Sequence, residues 1–194
     1  VAPSDPKQRA HGLWVLHRLD ALDDELVARL SEDESPFVRV HLVKSLAERT
    51  DWEAGGLSVP ELVRGRLFDT DGFVRRAAAD ALGRHPHSDN VPLLLRLWNE
   101  TEREDTYLIH TVRMALRDQL ARDDVFREHA HFRDADRTRR LLDVLLGQRS
   151  AQSAEFVFTA LKTDRYDPKR VGEFIHFATR YAAPDLLEDV TDYV

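Results

Sequence analysis

The sequence predicts an all-α protein in which pairs of helices stack into a solenoid. Apolar residues recur at three- and four-residue spacing in every periodic segment, which is typical of helices with one buried stripe. The segment "DESPFVRVHLVKSLAE" at 33–48 returns as "DTDGFVRRAAADALGR" at 69–84, 36 residues later. No alternating run of β-branched residues is bounded by hairpin turns. A helical pair repeated at such a period buries its apolar face by stacking on its neighbours.

The first predicted helix is "AHGLWVL" at 10–16, which matches "VHLVKSL" at 40–46 and places His11 against His41. We expect both imidazoles to be partly buried and to form hydrogen bonds between helices. No first helix precedes this segment. We therefore expect the chain to be a fragment of a larger protein, with apolar stacking surface at its N-terminal end through which it could self-associate.

Each copy of the repeat is predicted to be a short helix followed by a longer one. The short helices are "DELVARL" at 24–30 and "VPELVRGRL" at 59–67, where Pro60 suits a first helical position after Ser58 as N-cap. The longer helices carry buried stripes of Val38, Leu42, Ser45 and Leu46 in one copy and Val74, Ala77, Ala78, Ala81 and Leu82 in the other.

A third pair follows, and the pattern then fades. "VPLLLRLW" at 91–98 and "DTYLIHTVRMALRDQL" at 105–120 form this pair, with Tyr107 in the place of Phe73. Further helices are predicted at 138–147, 154–162 and 171–183, with Pro184 as a break. We expect one solenoid over residues 1–194, with clear repeats over 1–120 and degenerate helical repeats over 121–194.

The second copy resembles a HEAT repeat. That family's second helix typically opens with an acidic residue, a turn, a Val-Arg pair and alanine-rich packing that ends in Ala-Leu, as "DTDGFVRRAAADALG" does here. The resemblance implies a right-handed α-α superhelix of about four to five helical pairs.

The resemblance also implies a ladder of ion pairs. In HEAT-like stacks the Arg of the Val-Arg pair usually reaches the acidic residue of its own or the adjacent repeat. Arg39 and Arg75 are then expected to pair with Asp33 or Asp69, and the ladder should end where Ile109 replaces the Arg. The alternative is that Arg39 and Arg75 are ligands for an anion.

A second resemblance concerns the segments around residues 11–48, 71–86 and 105–120. They resemble the helical segment of large multidomain proteins of planctomycete-type bacteria that are labelled membrane-bound dehydrogenases or haem-binding proteins. The resemblance implies a propeller before this segment, a cytochrome c-like module after it, and a periplasmic or cell-envelope location. Neither module lies in this chain, so the redox activity is assigned to no residue here.

The composition excludes several chemistries. The chain has 28 Lys and Arg against 35 Asp and Glu, a net charge of −7, which disfavours nucleic acid and anionic membrane as partners. The absence of Cys excludes a disulfide, a thiolate zinc site and a cysteine nucleophile. No apolar run approaches the roughly 20 residues of a membrane span.

No motif predicts catalysis, a cofactor or a metal. The pairs "HPH" at 85–87 and "HAH" at 129–131 lack an HExxH arrangement or a third ligand nearby, so we expect polar surface residues. Asp23 and Asp24, like Asp123 and Asp124, are explained as charges at helix N-termini. We expect no catalytic, cofactor-binding or metal-binding residues in this chain.

The candidate partner-binding residues lie on the second helices, which line the concave side of such solenoids. They point away from the packing stripe and are Trp14, Val40, Lys44, Arg76, Asp80, His110, Arg113 and Met114. Trp14 is either an anchor for a protein partner or a cover for the absent preceding helix.

Three functions remain. The leading hypothesis is a non-catalytic scaffold or spacer that binds neighbouring domains or another protein. The alternative is a nucleic-acid-binding module like some HEAT-like DNA glycosylases, for which "RDADRTRR" at 133–140 is the only dense basic run. The third is support of a parent oxidoreductase by docking of a catalytic or cytochrome domain.

Overall fold

The computed structural model describes residues 5–52, 56–131 and 134–193, and all regular elements in these ranges are α-helices. The predicted all-α class is confirmed, and the arrangement is consistent with a HEAT-like solenoid. The chain divides into two compact units, the first ending at Gln119 and the second beginning at Leu120. No helix in the described ranges combines the length and the apolar character needed to cross a membrane.

The first unit alternates longer and shorter helices. Its helices are α1 (Pro6–Arg18), α2 (Asp24–Ser31), α3 (Pro36–Ala47), α4 (Val59–Arg66), α5 (Gly72–Arg84), α6 (Asn90–Glu100) and α7 (Thr106–Leu120). The second helices α1, α3 and α5 pack on one another, and the first helices α2 and α4 pack against α3 and α5. Two layers of helices result, as the repeat predicts.

The stripes predicted for α3 and α5 form the core of the first unit. Val38, Leu42 and Leu46 on α3 are fully buried, as are Val74, Ala78 and Leu82 on α5. Small residues bring α5 and α7 together, since a Cβ added at Gly83 would lie 3.2 Å from the Cα of Ala115. Larger side chains at this crossing would push the two helices apart.

A buried polar network that the sequence did not predict ties α4, α6 and α7 together. Asn90 is 1% exposed, accepts a hydrogen bond from Nε of Arg64 at 2.9 Å, and donates to the carbonyl of His85 at 3.0 Å and to Oε1 of Gln119 at 3.1 Å. Gln119 is fully buried and donates to the carbonyl of Leu82 at 2.7 Å. Buried amides of this kind are stable only when their partners are all present.

The second unit holds α8 (Asp123–His129), α9 (Ala135–Leu145), α10 (Ala151–Thr163), α11 (Pro168–Tyr181) and α12 (Pro184–Tyr193). Within it α10 packs against α9 and α11, and α12 packs against α11. The helices predicted at 138–147, 154–162 and 171–183 correspond to α9, α10 and α11. Pro184 ends no helix but begins α12, because proline suits the first helical position.

Candidate functional site

The ion-pair ladder runs between successive repeats of the first unit. Arg39 donates to both carboxylate oxygens of Asp69 in the next repeat, from Nε at 2.9 Å and from Nη2 at 2.7 Å. Arg9 forms the same two-bond pair with Asp33, with both distances at 2.9 Å. Arg9 lies 30 residues before Arg39, the same offset that matches His11 to His41, and this offset could have identified it from the sequence.

Arg75 does not form the corresponding pair. Its Nη1 donates to the main-chain carbonyls of Asp69 at 2.9 Å and Thr70 at 3.1 Å. The Asp69 carboxylate is already occupied by Arg39 and Arg66, and that of Asp105 accepts the N–H of Leu108. The Arg39–Asp69 pair is therefore the last of the ladder. The sequence predicted one further pair, from Arg75, before Ile109 interrupts the pattern.

The groove beside Arg75 does not favour the alternative of an anion site. It has a volume of about 430 Å³, and its lining includes Arg75 together with Glu100, Glu102 and Asp105. Asp69 also lines the groove, so its carboxylates outnumber its one guanidinium and repel an anion.

The carboxylates of the ladder predict a stability loss in acid. Burial would raise the pKa of Asp69, but the Arg39 guanidinium, the N–H of Asp71 and Arg66 together hold it below its usual value of 3.8. A lowered folded-state pKa means that the stabilisation is complete above about pH 4 and is lost as the pH falls through the folded-state pKa. We expect urea titrations between about pH 5 and pH 2.5 to show a flatter pH dependence for Asp69→Asn than for the wild type. Equal pH dependence in both proteins would contradict this role of Asp69.

The second-helix face is the surface formed by the exposed and half-exposed residues of α1, α3, α5 and α7 within the first unit. The eight candidate residues lie on these helices. Trp14 and Val40 are half-buried, and the exposed members are Lys44, Arg76, Asp80, His110, Arg113 and Met114.

An aromatic row that sequence reasoning missed crosses the second-helix face. It consists of Phe37, Phe73 and Tyr107, each the second residue of its helix, which are 46%, 70% and 76% exposed. The sequence did contain a signal for this row, because the three aromatics occupy the same position of three repeats and lie outside the buried stripe. Phe37 meets His41 edge to face with centroids 4.5 Å apart, and the guanidinium carbon of Arg76 lies 5.9 Å from the Tyr107 ring centroid.

The charges of the second-helix face are unbalanced. Its acidic members are paired with neighbouring cations, Asp80 with Arg84 at 3.2 Å and Asp118 with Arg117 at 3.1 Å. By contrast, Lys7, Lys44 and Arg76 form no ion pair with any residue in the described ranges. The face therefore presents uncompensated positive charge on a chain whose net charge is −7.

Trp14 is joined to the neighbouring repeat through His41. Its indole Nε1 donates to Nδ1 of His41 at 2.9 Å, so this ring nitrogen carries no proton. His11, expected to be partly buried like His41, is exposed because no described second helix packs on that side of α1. The prediction was wrong for His11.

Protonation of His41 should break this bond. Burial, followed by the charge of Lys44, lowers the pKa of His41 below 6.5. A depressed pKa means that the contribution of His41 is complete above about pH 6.5 and is lost as the pH falls through the folded-state pKa. We expect a component of the tryptophan fluorescence change with a midpoint below pH 6.5 that is lost both in Trp14→Phe and in His41→Gln. The second variant is needed because Trp14 also meets His17 edge to face, with centroids 5.4 Å apart. Persistence of the transition in Trp14→Phe would assign it to another residue.

The paired histidines have protein partners. His85 stacks on Trp52 at 3.9 Å, and its Nε2 contacts the carbonyl of Ala47 at 3.1 Å. His129 was expected on the surface but is 8% exposed, and its Nδ1 lies 3.0 Å from Nη2 of Arg137. Within the described residues, no three or more His, Asp or Glu are grouped so that they could hold a metal ion.

The basic run at 133–140 is diluted by its own acids. Arg133 lies outside the described residues. Arg139 pairs with Asp136 at 2.8 Å, and Arg137 is bound to His129.

Part of the chain matches a known protein family. Residues 24–117, which span α2 to most of α7, match the family model of HEAT repeats. A search of curated proteins found no match. The chain thus contains a HEAT-repeat helical segment; such repeats are commonly protein-interaction scaffolds and are typically non-catalytic.

Proposed function

We propose that this chain is a non-catalytic scaffold that binds a protein partner through the second-helix face of its HEAT-repeat segment. The observation that carries the proposal is the aromatic row Phe37, Phe73 and Tyr107, exposed at the same position of three successive repeats. Exposed apolar residues that occur singly are scattered over a protein surface and have no special meaning. Aromatic side chains exposed at the same position of successive repeats instead mark an interaction surface.

The surroundings of the aromatic row support this proposal. Aromatic residues and arginine dominate the binding energy of protein interfaces. Arg76 and Arg113 lie on the same helices as Phe73 and Tyr107 and are exposed. Trp14, bound to His41, is half-buried and supports the neighbouring part of the face.

Selection from a random peptide library displayed on phage tests the proposal. We expect peptides that bind the wild type and lose binding to Phe73→Ala and to Tyr107→Ala. The matched control is Phe68→Ala, because Phe68 is an exposed aromatic in the turn that follows α4, outside the second-helix face. Peptides that bind all three variants as well as the wild type, or an absence of enriched peptides, would overturn the proposal.

The context of the scaffold is a proposal that rests on the sequence resemblance. We place the segment in a larger bacterial protein, where it would hold a catalytic and a cytochrome c-like module at a set distance. The parent gene tests this placement. Propeller repeats upstream and a CxxCH motif downstream would support it, and their absence would remove it without affecting partner binding.

Self-association is a further part of the proposal and concerns the N-terminal end of the first unit. A groove of about 410 Å³ between α1 and α2 is lined by Leu13, Leu16, Leu26 and Leu30 among others. Leu16 is half-exposed there, whereas its counterparts Leu46, Leu82 and Leu116 are fully buried. In the proposed association a second copy covers this groove, because the apolar surface at the end of a helical stack is stabilised when another element packs on it.

Light scattering over a range of concentrations tests self-association. We expect the wild type to associate as its concentration rises and Leu16→Glu to remain monomeric. Val15→Glu is the matched control, since Val15 is exposed on the same helix but does not line the groove. A monomeric wild type at high concentration would contradict self-association.

A further inference from the structure

We infer that the partner segment of the second-helix face is an acidic peptide in the polyproline II conformation that crosses α3, α5 and α7 along the aromatic row. This inference rests on the proposed function, because it names the kind of partner that the same face would bind. It follows from three properties of the face: the spacing of the row, its charge and its chemistry.

The spacing expected between neighbouring members of the aromatic row matches one turn of a polyproline II helix. Phe37, Phe73 and Tyr107 occupy the same position of three helices that are neighbours in one layer. Packed helices lie about 8–10 Å apart. Polyproline II has three residues per turn and a rise of about 3.1 Å, so every third residue returns to the same side after about 9 Å. One side of such a peptide can thus contact each aromatic in turn.

The polyproline II conformation of the proposed partner suits a surface of exposed aromatic rings. Proline-rich segments dock in aromatic-lined grooves because their conformation is largely set before binding, so little entropy is lost. Phe73 and Tyr107 are 70% and 76% exposed, which leaves their rings accessible to proline side chains.

The charge of the face selects an acidic peptide. Lys7, Lys44 and Arg76 form no ion pair in the described part of the chain, whereas Asp80 and Asp118 are already paired. Lys7 lies on α1 at the position equivalent to Phe37, so it continues the aromatic row with a positive charge. Carboxylates of the partner would balance these cations and steer the encounter.

Nucleic acid fits the same face less well. Exposed Glu34, Glu102 and Glu104 precede α3 and α7, close in sequence to Phe37 and Tyr107. A phosphate chain carries a charge on every nucleotide and would meet these carboxylates, whereas a peptide can place its few charges away from them. The net charge of −7 on the chain also disfavours binding of nucleic acid.

Fluorescence anisotropy with defined peptides tests the inference on the full chain. The probe is a labelled peptide of four Pro-Pro-Glu repeats at low salt. We expect it to bind, and we expect Arg76→Glu and Tyr107→Ala each to weaken binding about tenfold, which corresponds to about 1.4 kcal/mol. Arg96→Glu on α6 and Phe68→Ala are the matched controls and should bind like the wild type.

Three further probes can overturn the inference. Four Pro-Pro-Lys repeats keep the conformation but reverse the charge, and four Gly-Gly-Glu repeats keep the charge but lose the conformation. Binding of either probe as tight as that of the Pro-Pro-Glu peptide would overturn the inference. Tighter binding of oligothymidine of similar length would assign the face to single-stranded nucleic acid instead.

Failure of this inference differs from failure of the proposed function. If the phage library enriches basic or helical peptides that need Phe73 and Tyr107, the face binds a protein partner but not of the class named here. If the library enriches no peptides that depend on these residues, the proposed function itself fails.

Discussion

Replacement of Arg39 by Met is expected to lower the free energy of unfolding by about 3 kcal/mol, because it breaks a buried ion pair and leaves one charge without its main partner. The side chains of Arg39 and Asp69 are 10% and 3% exposed, and two hydrogen bonds join them. Asp69 would keep the N–H of Asp71 at 2.9 Å and Arg66 at 3.3 Å, so the loss should stay below the largest values seen for buried pairs. Urea titration measures the change.

Arg75→Met is the matched control for Arg39→Met. Both arginines follow the valine of the repeat, and both donate from Nη1 to two main-chain carbonyls of the preceding turn. They differ in their ion pairs. Arg39 pairs with the carboxylate of Asp69, whereas Arg75 pairs with no carboxylate among the described residues. Arg75→Met should cost about 1 kcal/mol, since its loss removes bonds to neutral acceptors near the surface. Equal losses for the two variants would show that the carboxylate pair contributes no net stability.

Replacement of Asn90 by Leu is the second change with a large expected effect. The side chains are similar in size, so the main result is the loss of the hydrogen bonds to Arg64, to the carbonyl of His85 and to Gln119. Nε of the buried Arg64 and the carbonyl of the half-buried His85 would each lose this partner, whereas Oε1 of Gln119 would keep the N–H of His87 at 2.8 Å. The free energy of unfolding should fall by about 3 kcal/mol. Thermal or urea unfolding of the purified variant measures this loss.

Asn99→Leu is the control on the same helix. Asn99 lies near the other end of α6 and is exposed, so its replacement should change the free energy of unfolding by less than about 0.5 kcal/mol. A comparable loss in Asn99→Leu would point to a general intolerance of α6 to apolar substitution. A wild-type stability in Asn90→Leu would show that the network is not needed for the fold.

The helices of the first unit could be predicted from the sequence because the apolar spacing repeats. Val38 and Val74 mark the same position of α3 and α5, and both are fully buried as the stripe requires. The exposed candidate residues could be predicted in the same way, because they lie on the sides of these helices that face away from the stripe. The helix α12 was missed, since Pro184 is equally suited to end one segment and to begin the next.

Features that depend on tertiary distances could not be predicted. Whether Arg75 reaches Asp105 depends on how closely α5 and α7 approach at that end, which no local pattern encodes. Two of the three partners of Asn90, Arg64 and Gln119, lie 26 and 29 residues away. The aromatic row could not be predicted for a different reason, because Phe73 and Tyr107 lie within the repeat motif, where large apolar residues are expected to be buried.

Chemical-shift mapping by NMR on the uniformly labelled chain tests the central claim most directly. The ligand is the peptide that the phage library enriches most strongly. If the second-helix face is the binding surface, the amide shifts that move on titration cluster around Phe37, Phe73 and Tyr107 and along Lys44 and Arg76. Shifts confined to α2, α4 and α6, or to the second unit from Leu120 onward, would contradict the assignment of this face.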